Sequence, residues 1–185
     1  MSRDVSPETG VATVAAVAGA EAERRALRHS LSLYATGVCV ITTLAPDGEK
    51  VGLTVNSFAS VSLDPPLVLW SLARTSPRVP VFRGATHFAV NVLSGAQEEL
   101  CNRFARPGAD RFAGLDLDAG AGGAPLLPGC LATFECARHE VVEGGDHVIL
   151  IGKVLTHTRG SAADALVFCN GALRNWSGLR EVAHG

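Results

Sequence analysis

Residues 52–72, GLTVNSFASVSLDPPLVLWSL, read as strand yet carry hydroxyls at Thr54, Ser57, Ser60 and Ser62 and an amide at Asn56. Alternation sets Gly52, Thr54 and Asn56 on one side and Leu53, Val55 and Ser57 on the other. Gly52 leaves the backbone bare, as needed where a flat ring or another chain comes close. Such groups either satisfy turns and strand ends locally or converge on a guest, and composition alone favours the local role. Three further clusters weigh against it. SLARTSPR (71–78) sets Arg74, Ser76 and Arg78 just after a buried strand and at the start of a helical turn. A hydroxyl, two guanidinium groups and helix-start amides suit a phosphate, with a solvated basic loop as the equal alternative. NRFARPGADRF (102–112) adds Arg103, Arg106, Arg111 and two phenylalanines, and in EGGDHVILIG (143–152) His147 opens a strand beside a glycine turn.

Other signals fail on their surroundings. Gly120, Gly122 and Gly123 are followed by Pro125 and Pro128, not by the helix that a dinucleotide fingerprint needs. Cys136 and His139 stand three apart on a strand and face opposite sides, so they cannot share an ion. Cys130 and Cys136 share a face but lie roughly 20 Å apart at about 3.3 Å per residue. There is no C-x-x-C, no H-E-x-x-H and no G-x-S-x-G, so neither a metal centre nor a serine hydrolase is expected.

The elements that must position these residues follow from periodicity. AERRALRHSLSLYATG (22–37) sets Leu27, Leu31 and Tyr34 on one helical face, with Gly37 as its stop. Strands are expected at 38–44, 50–56, 58–63 and 67–72, with APDG (45–48) as a turn and Asp64-Pro65-Pro66 as a break. A short helix at 76–84 is interrupted by Pro80. A strand at 87–93 precedes a helix over 94–108, capped by Ser94 with a glutamate four to five places in. Residues 115–129 are loop. Two long strands meet in a hairpin at Gly144-Gly145, and 164–171 forms a last short strand. About seven strands, mostly joined by hairpins and without βαβαβ alternation, make a mainly β chain with inserted helices. The expected architecture is a closed or half-open antiparallel barrel.

The chain of 185 residues suits one domain with a real core, at 47% hydrophobic and 18% charged residues. A net charge of −2 and no basic run beyond Arg24-Arg25 argue against nucleic acid or an acidic membrane as partner. Five cysteines without a spacing framework read as reduced thiols in a cytoplasmic protein. VATVAAVAGA (11–20) lacks a basic flank, so residues 1–21 read as a flexible arm, 22–180 as the domain and 181–185 as a tail. No stretch is long enough to span a membrane.

GVCVITT (37–43), VGLTVNSFASVSLDPPLVLWSL (51–72), FAVNVL (88–93), RFARPGADRF (103–112) and GGDHVILIGKV (144–154), in this order and spacing, resemble the flavin reductase-like family. These are short-chain NAD(P)H:flavin oxidoreductases that serve two-component flavin monooxygenases, and the resemblance covers about residues 25–176. It implies an antiparallel split barrel of the FMN-binding type, a homodimer, and a flavin-dependent monooxygenase as partner. The cofactor implied is FMN, or FAD or riboflavin, with NADH or NADPH as co-substrate. Gly52 to Ser57 would line the isoalloxazine edge, through main-chain groups of Thr54 and Val55 and side chains of Asn56 and Ser57. Ser71, Leu72 and Ala73 would continue that wall, and Ser76 and Arg78, with Arg74, would hold the phosphate. Asn91 and the Phe104–Ala105 turn would approach the flavin, and His147 would stand near the nicotinamide. The chain departs from the family's aromatic-Arg-Gly-x-aromatic ending: Asn170 stands in the arginine position and Leu173 in the aromatic one, with Trp176 as a substitute cover. Two other classes share these features: a flavin-binding or electron-transfer protein without nicotinamide turnover, and an oxidoreductase with fixed flavin acting on an organic substrate.

Overall fold

A computed structural model describes residues 14–108, 110–161 and 164–176. Helix α1 (Val14–Ser32) and the short strand β1 (Thr36–Gly37) lead into β2 (Cys39–Leu44), β3 (Lys50–Val55), β4 (Ala59–Leu63) and β5 (Pro66–Ala73). Helix α2 (Val79–Gly84), β6 (His87–Val92) and helix α3 (Glu98–Ala105) follow, then the minor strands β7 (Asp118–Ala119) and β8 (Pro125–Leu126). The long hairpin β9 (Ala132–Gly144) and β10 (His147–Arg159) precedes β11 (Leu166–Cys169) and β12 (Ala172–Asn175).

Seven strands form one antiparallel sheet in the order β3-β2-β6-β9-β10-β5-β4. Val55 from one edge and Val68, Trp70 and Leu72 from the far side bury in the same cluster as Ile41, Phe88 and Leu150. A flat sheet cannot bring those residues together, so the sheet curls around this core. Strand β2 is buried on both faces: Cys39 and Ile41 enter the first core, while Val38 and Val40 enter a second with Leu93, Phe104, Phe112 and Leu127. Bulges supply the curvature. Register shifts occur between Ile151 and Gly152, between Val154 and Thr156, and between Ser60 and Ser62. Gly152 is needed at the bend, because a Cβ there would lie 2.9 Å from the Cys136 Cβ.

One side chain extends the β4–β5 ladder beyond its last backbone pair. Ser60 lies opposite Val68 and Ala59 opposite Leu69, so the same register brings Ser57 to Ser71. There the Ser57 Oγ accepts from the Ser71 N–H at 2.9 Å and donates to the Ser71 carbonyl at 3.1 Å.

Several elements depart from expectation. Helix α1 begins at Val14, so 14–21 of the expected flexible arm are helical, while residues 1–13 and the 181–185 tail lie outside the described residues. The helix ends at Ser32, not Gly37, because Leu33 and Tyr34 tighten the last turn by donating to the Ser30 and Leu31 carbonyls, and Asn170 N–H caps the Ser32 carbonyl. The apolar side chains expected on one face are not covered by the described residues: Leu27 and Leu31 in the helix and Tyr34 past its end are 59%, 64% and 77% exposed. Pro80 does not interrupt α2 but sits in its first turn, where its missing N–H has no helical partner to lose. The box at Ser94 is closed by Gln97, whose Oε1 accepts the Ser94 N–H at 2.9 Å, rather than by a glutamate. Strand β12 was not foreseen. It is joined to β11 by Asn170 and Gly171, both at positive φ (51° and 73°).

Asn91, assigned to the flavin by the family resemblance, is 0% exposed. Its Nδ2 donates to the Val40 carbonyl at 3.0 Å and to Thr42 Oγ1 at 3.1 Å, and its Oδ1 accepts the Leu127 N–H at 2.8 Å. The amide thus pins β6 to β2 and to the segment after β8, and it has nothing left for a ligand. Asn91→Ala strands the buried Leu127 N–H and should cost ~1–3 kcal/mol. A lower denaturant midpoint with unchanged flavin affinity of the folded protein is the expected outcome; weakened flavin binding at full stability would return Asn91 to the site.

Candidate functional site

The ends of β3 and β5 and the start of β10 meet at one rim, where His147 lies opposite Ala73. A groove of about 380 Å³ opens there. Thr54, Val55, Asn56 and Ser57 form one wall; Ser71, Leu72 and Ala73 form the other, running on to Ser76 and Arg78. Phe104 and Ala105 of α3 and His147 complete it, along with Leu53, which the sequence reading did not single out.

The polar groups along this groove divide into spent and unspent. Thr54 Oγ1 donates to the Cys101 carbonyl at 2.7 Å and so seats α3 against β3. The Ser57 hydroxyl is committed to Ser71, so its donor is no longer available. What the first wall offers is the exposed Asn56 amide and main chain: β3 lies at the edge of the large sheet, which leaves alternate N–H and C=O groups without a strand partner. At the far end the side chain of Arg78, a half-buried residue, has no hydrogen-bond or ion-pair partner among the described residues. Its backbone N–H donates to Ser76 Oγ at 3.3 Å, which braces the turn. Helix α2 is only six residues long, so the anion-binding capacity here rests on these side chains.

His147 is 45% exposed at the side chain, with Nδ1 2.7 Å from Asp146 Oδ1. The hydrogen bond from His147, then its charge, hold the Asp146 carboxyl below the ordinary aspartate range. The sign of that shift means that the carboxylate's contribution to stability is present above the unfolded aspartate pKa and is lost as pH falls through the lowered one. With Nδ1 engaged, Nε2 is the ring nitrogen left for a ligand.

Two expected residues stand outside the groove with Asn91. Arg74 is drawn outward to Glu143, Nη1 to Oε2 at 3.2 Å. Glu143 also pairs with Arg83, whose hydrogen bond is the main cause of its lowered pKa. Gly52 is bare for a different ring than expected. A Cβ there would lie 2.7 Å from Phe104 Cε1 and 3.0 Å from Phe112 Cζ, two rings packed edge to face at 5.0 Å. No cysteine lines the groove. Burial pushes the thiols of Cys39 and Cys136 up to about 12 and that of Cys130 to about 11.

Residues 31–177 match the family described as Flavin reductase like domain. The FMN reductase (NADH) SmoA of Agrobacterium fabrum is 49% identical over 155 residues, 83% of this chain and 86% of that protein. Stachydrine N-demethylase reductase subunit Stc3 of Rhizobium meliloti is 44% identical over 147 residues, 80% of this chain but only 64% of the longer relative. The NADH:FAD oxidoreductase SgcE6 of Streptomyces globisporus, solved in complex with NAD and FAD fragments, is 39% identical with a TM-score of 0.79, covering 85% of this chain and 94% of that one. The matched span contains all twelve strands and every residue of the groove. By sequence and by fold, the chain belongs to the flavin reductase-like family.

Proposed function

We propose that the protein is an NAD(P)H-dependent flavin reductase that binds FMN, FAD or riboflavin in the groove and supplies reduced flavin to a separate monooxygenase. The observation that carries this reading is Arg78: a half-buried residue whose guanidinium has no partner among the described residues, at one end of a groove whose opposite wall is a free strand edge. A cation in that setting is satisfied by an anionic ligand. Relatives named as NADH-dependent FMN and FAD reductases support it, as do relatives named as reductase components of monooxygenases.

The residues present fit a flavin. The flavin supplies the hydride-accepting ring when bound; the protein binds and orients. The edge of β3 and Asn56 meet the polar rim of the ring, Ser76 and Arg78 hold the phosphate, and the Phe104–Ala105 turn limits how far the ring can slide. His147, steadied by Asp146, holds the open side where the nicotinamide enters. Hydride passage between two stacked rings needs alignment rather than an acid–base pair, in keeping with a groove that carries one histidine and no buried carboxylate.

Exposed apolar side chains support a homodimer, since Leu27 and Leu31 of α1 and Tyr34 just past its end lie uncovered by the described residues. A cytoplasmic location is supported by five free cysteines. No helix among the described residues is long and apolar enough to cross a membrane.

NADH oxidation by the purified protein should require added flavin and saturate with it; flavin binding without NADH oxidation would favour a carrier, and reduction of a flavin that never exchanges would favour a fixed prosthetic group. Arg78→Ala should weaken FMN about tenfold or more, the range of a charge-assisted hydrogen bond, and riboflavin less than about twofold. Equal loss for both would remove the phosphate role. For His147→Ala the expected result is a nicotinamide KM raised several-fold at constant flavin affinity, read from steady-state kinetics beside a flavin titration. Sedimentation should give a dimer that Leu31→Asp dissociates; a monomeric parent protein would discard that assembly.

A further inference from the structure

Two arginines converge on one carboxylate at the rim beside His147. Arg74 Nη1 lies 3.2 Å from Glu143 Oε2, and Arg83 of α2 pairs with Glu143 Oε1. Both arginines are anchored through their main chain. The Arg74 N–H donates to the Asp146 carbonyl at 2.9 Å, which ties it to the hairpin tip, and Arg138 Nη1 donates to the Arg83 carbonyl. Glu143 stays ionised at neutral pH, because the hydrogen bond from Arg83, with the charges of Arg83 and Arg74 behind it, holds its carboxyl below the ordinary glutamate range. All three side chains reach solvent, so a ligand meets them without opening the core. Two converging guanidinium groups suit a phosphate monoester. The rim thus carries an anion site that is already filled, by the chain's own side chain.

Register fixes where this cluster stands. Glu143 lies opposite Val148, one pair along from His147 and Gly144, and Arg74 follows Ala73, which lies opposite His147. Successive strand residues face opposite ways, so with His147 in the groove the cluster stands just behind its rim. A nicotinamide dinucleotide is much longer than its ring. With the ring at His147 and Arg78 engaged by the flavin phosphate, its adenosine half leaves the groove over the rim at the hairpin tip. NADH and NADPH differ in that half by one group, a phosphate on the 2′ oxygen of the ribose. Arginine accommodates such a phosphate, and a carboxylate repels it.

We propose that Glu143 selects NADH over NADPH: its carboxylate occupies Arg74 and Arg83 and so denies them to the 2′-phosphate. The inference rests on the reductase reading above and adds the residue that decides between its two co-substrates. Glu143 acts through the arginines, and Arg74, on the hairpin side of the cluster, is the cation that its removal releases.

Steady-state kinetics with NADH and with NADPH at saturating flavin, on the parent protein, Glu143→Gln and the double variant Glu143→Gln/Arg74→Ala, test it. The parent should favour NADH. In Glu143→Gln the kcat/KM ratio of NADPH to NADH should rise about fivefold, the range of one charge-assisted contact. The rise should lie in the KM for NADPH and not in kcat. The double variant should return the ratio toward the parent value. Both substituted side chains are exposed, so the substitutions leave the core untouched. An unchanged ratio in Glu143→Gln, a rise that survives in the double variant, or a parent that uses both co-substrates alike overturns the role of Glu143 and leaves the flavin groove standing. Tighter FMN binding in Glu143→Gln with an unchanged ratio overturns it in favour of the flavin phosphate as the anion that Arg74 meets. A parent without flavin-dependent oxidation of either co-substrate removes the reductase reading itself, a separate result.

Discussion

The groove depends on a single hydroxyl. Ser57 Oγ makes both of the hydrogen bonds that a strand residue would have made to Ser71, at a point where the chain is turning from β3 into β4 and has no ladder to offer. Each such bond contributes ~1 kcal/mol net, too little to hold the barrel together alone. Its importance is geometric. It fixes the separation of two strand ends that belong to opposite parts of the sheet order, β3 at one edge and β5 next to the other. The space between those ends is the groove. A looser corner would leave the same residues present and the walls at no defined distance.

That commitment sorts the polar residues along the barrel wall. Thr54, Ser57 and Asn91 are consumed by the fold, on Cys101, Ser71 and the Val40–Leu127 contacts respectively. Arg74 and Arg78 stand one helical turn apart in sequence, with opposite fates. Arg74 has an exposed carboxylate at 3.2 Å, a pairing of the kind that contributes little to stability in water but that draws the side chain away from the groove. Arg78 has no such partner among the described residues, which leaves its charge free for the phosphate proposed above. What sets the two arginines apart is the presence of Glu143 beside one of them.

Strand β2, strand β6 and the long hairpin were legible because buried apolar runs and a glycine turn are local signals. The groove was legible for a similar reason, since its two walls, the ends of β3 and β5, lie in one continuous stretch, 52–78. What escaped depends on partners distant in sequence. Nothing near Asn91 announces that Leu127 will donate to it, and nothing near Gly52 announces that Phe104 and Phe112 will occupy the space a side chain would need. Strand β12 escaped for a different reason. Asn170-Gly171 is a strong hairpin signal, both residues adopting the positive φ that a two-residue turn of the primed type demands. Asn170 stands where the family pattern has an arginine, and its own tolerance of positive φ accounts for the turn.

The placement of His147 rests on strand register, beginning with its pairing to Ala73. Successive strand residues face opposite ways, so a one-residue slip would turn His147 from the site. The β9–β10 pair contains two irregularities that would each cause such a slip. His139 on β9 and Leu155 on β10 have no partner across the pair, and lying on opposite strands they cancel. Between them sits Gly152, where β10 crosses so close to Cys136 and Phe88 that only a hydrogen fits. The bend is thereby obtained without losing the pairing of His147 with Ala73 at one end or of Arg159 with Ala132 at the other. Curvature and side-chain orientation, which compete in any barrel, are reconciled within a few residues of one hairpin, while the histidine at its tip keeps the direction set by the unbroken pairing of 147–153 with β5.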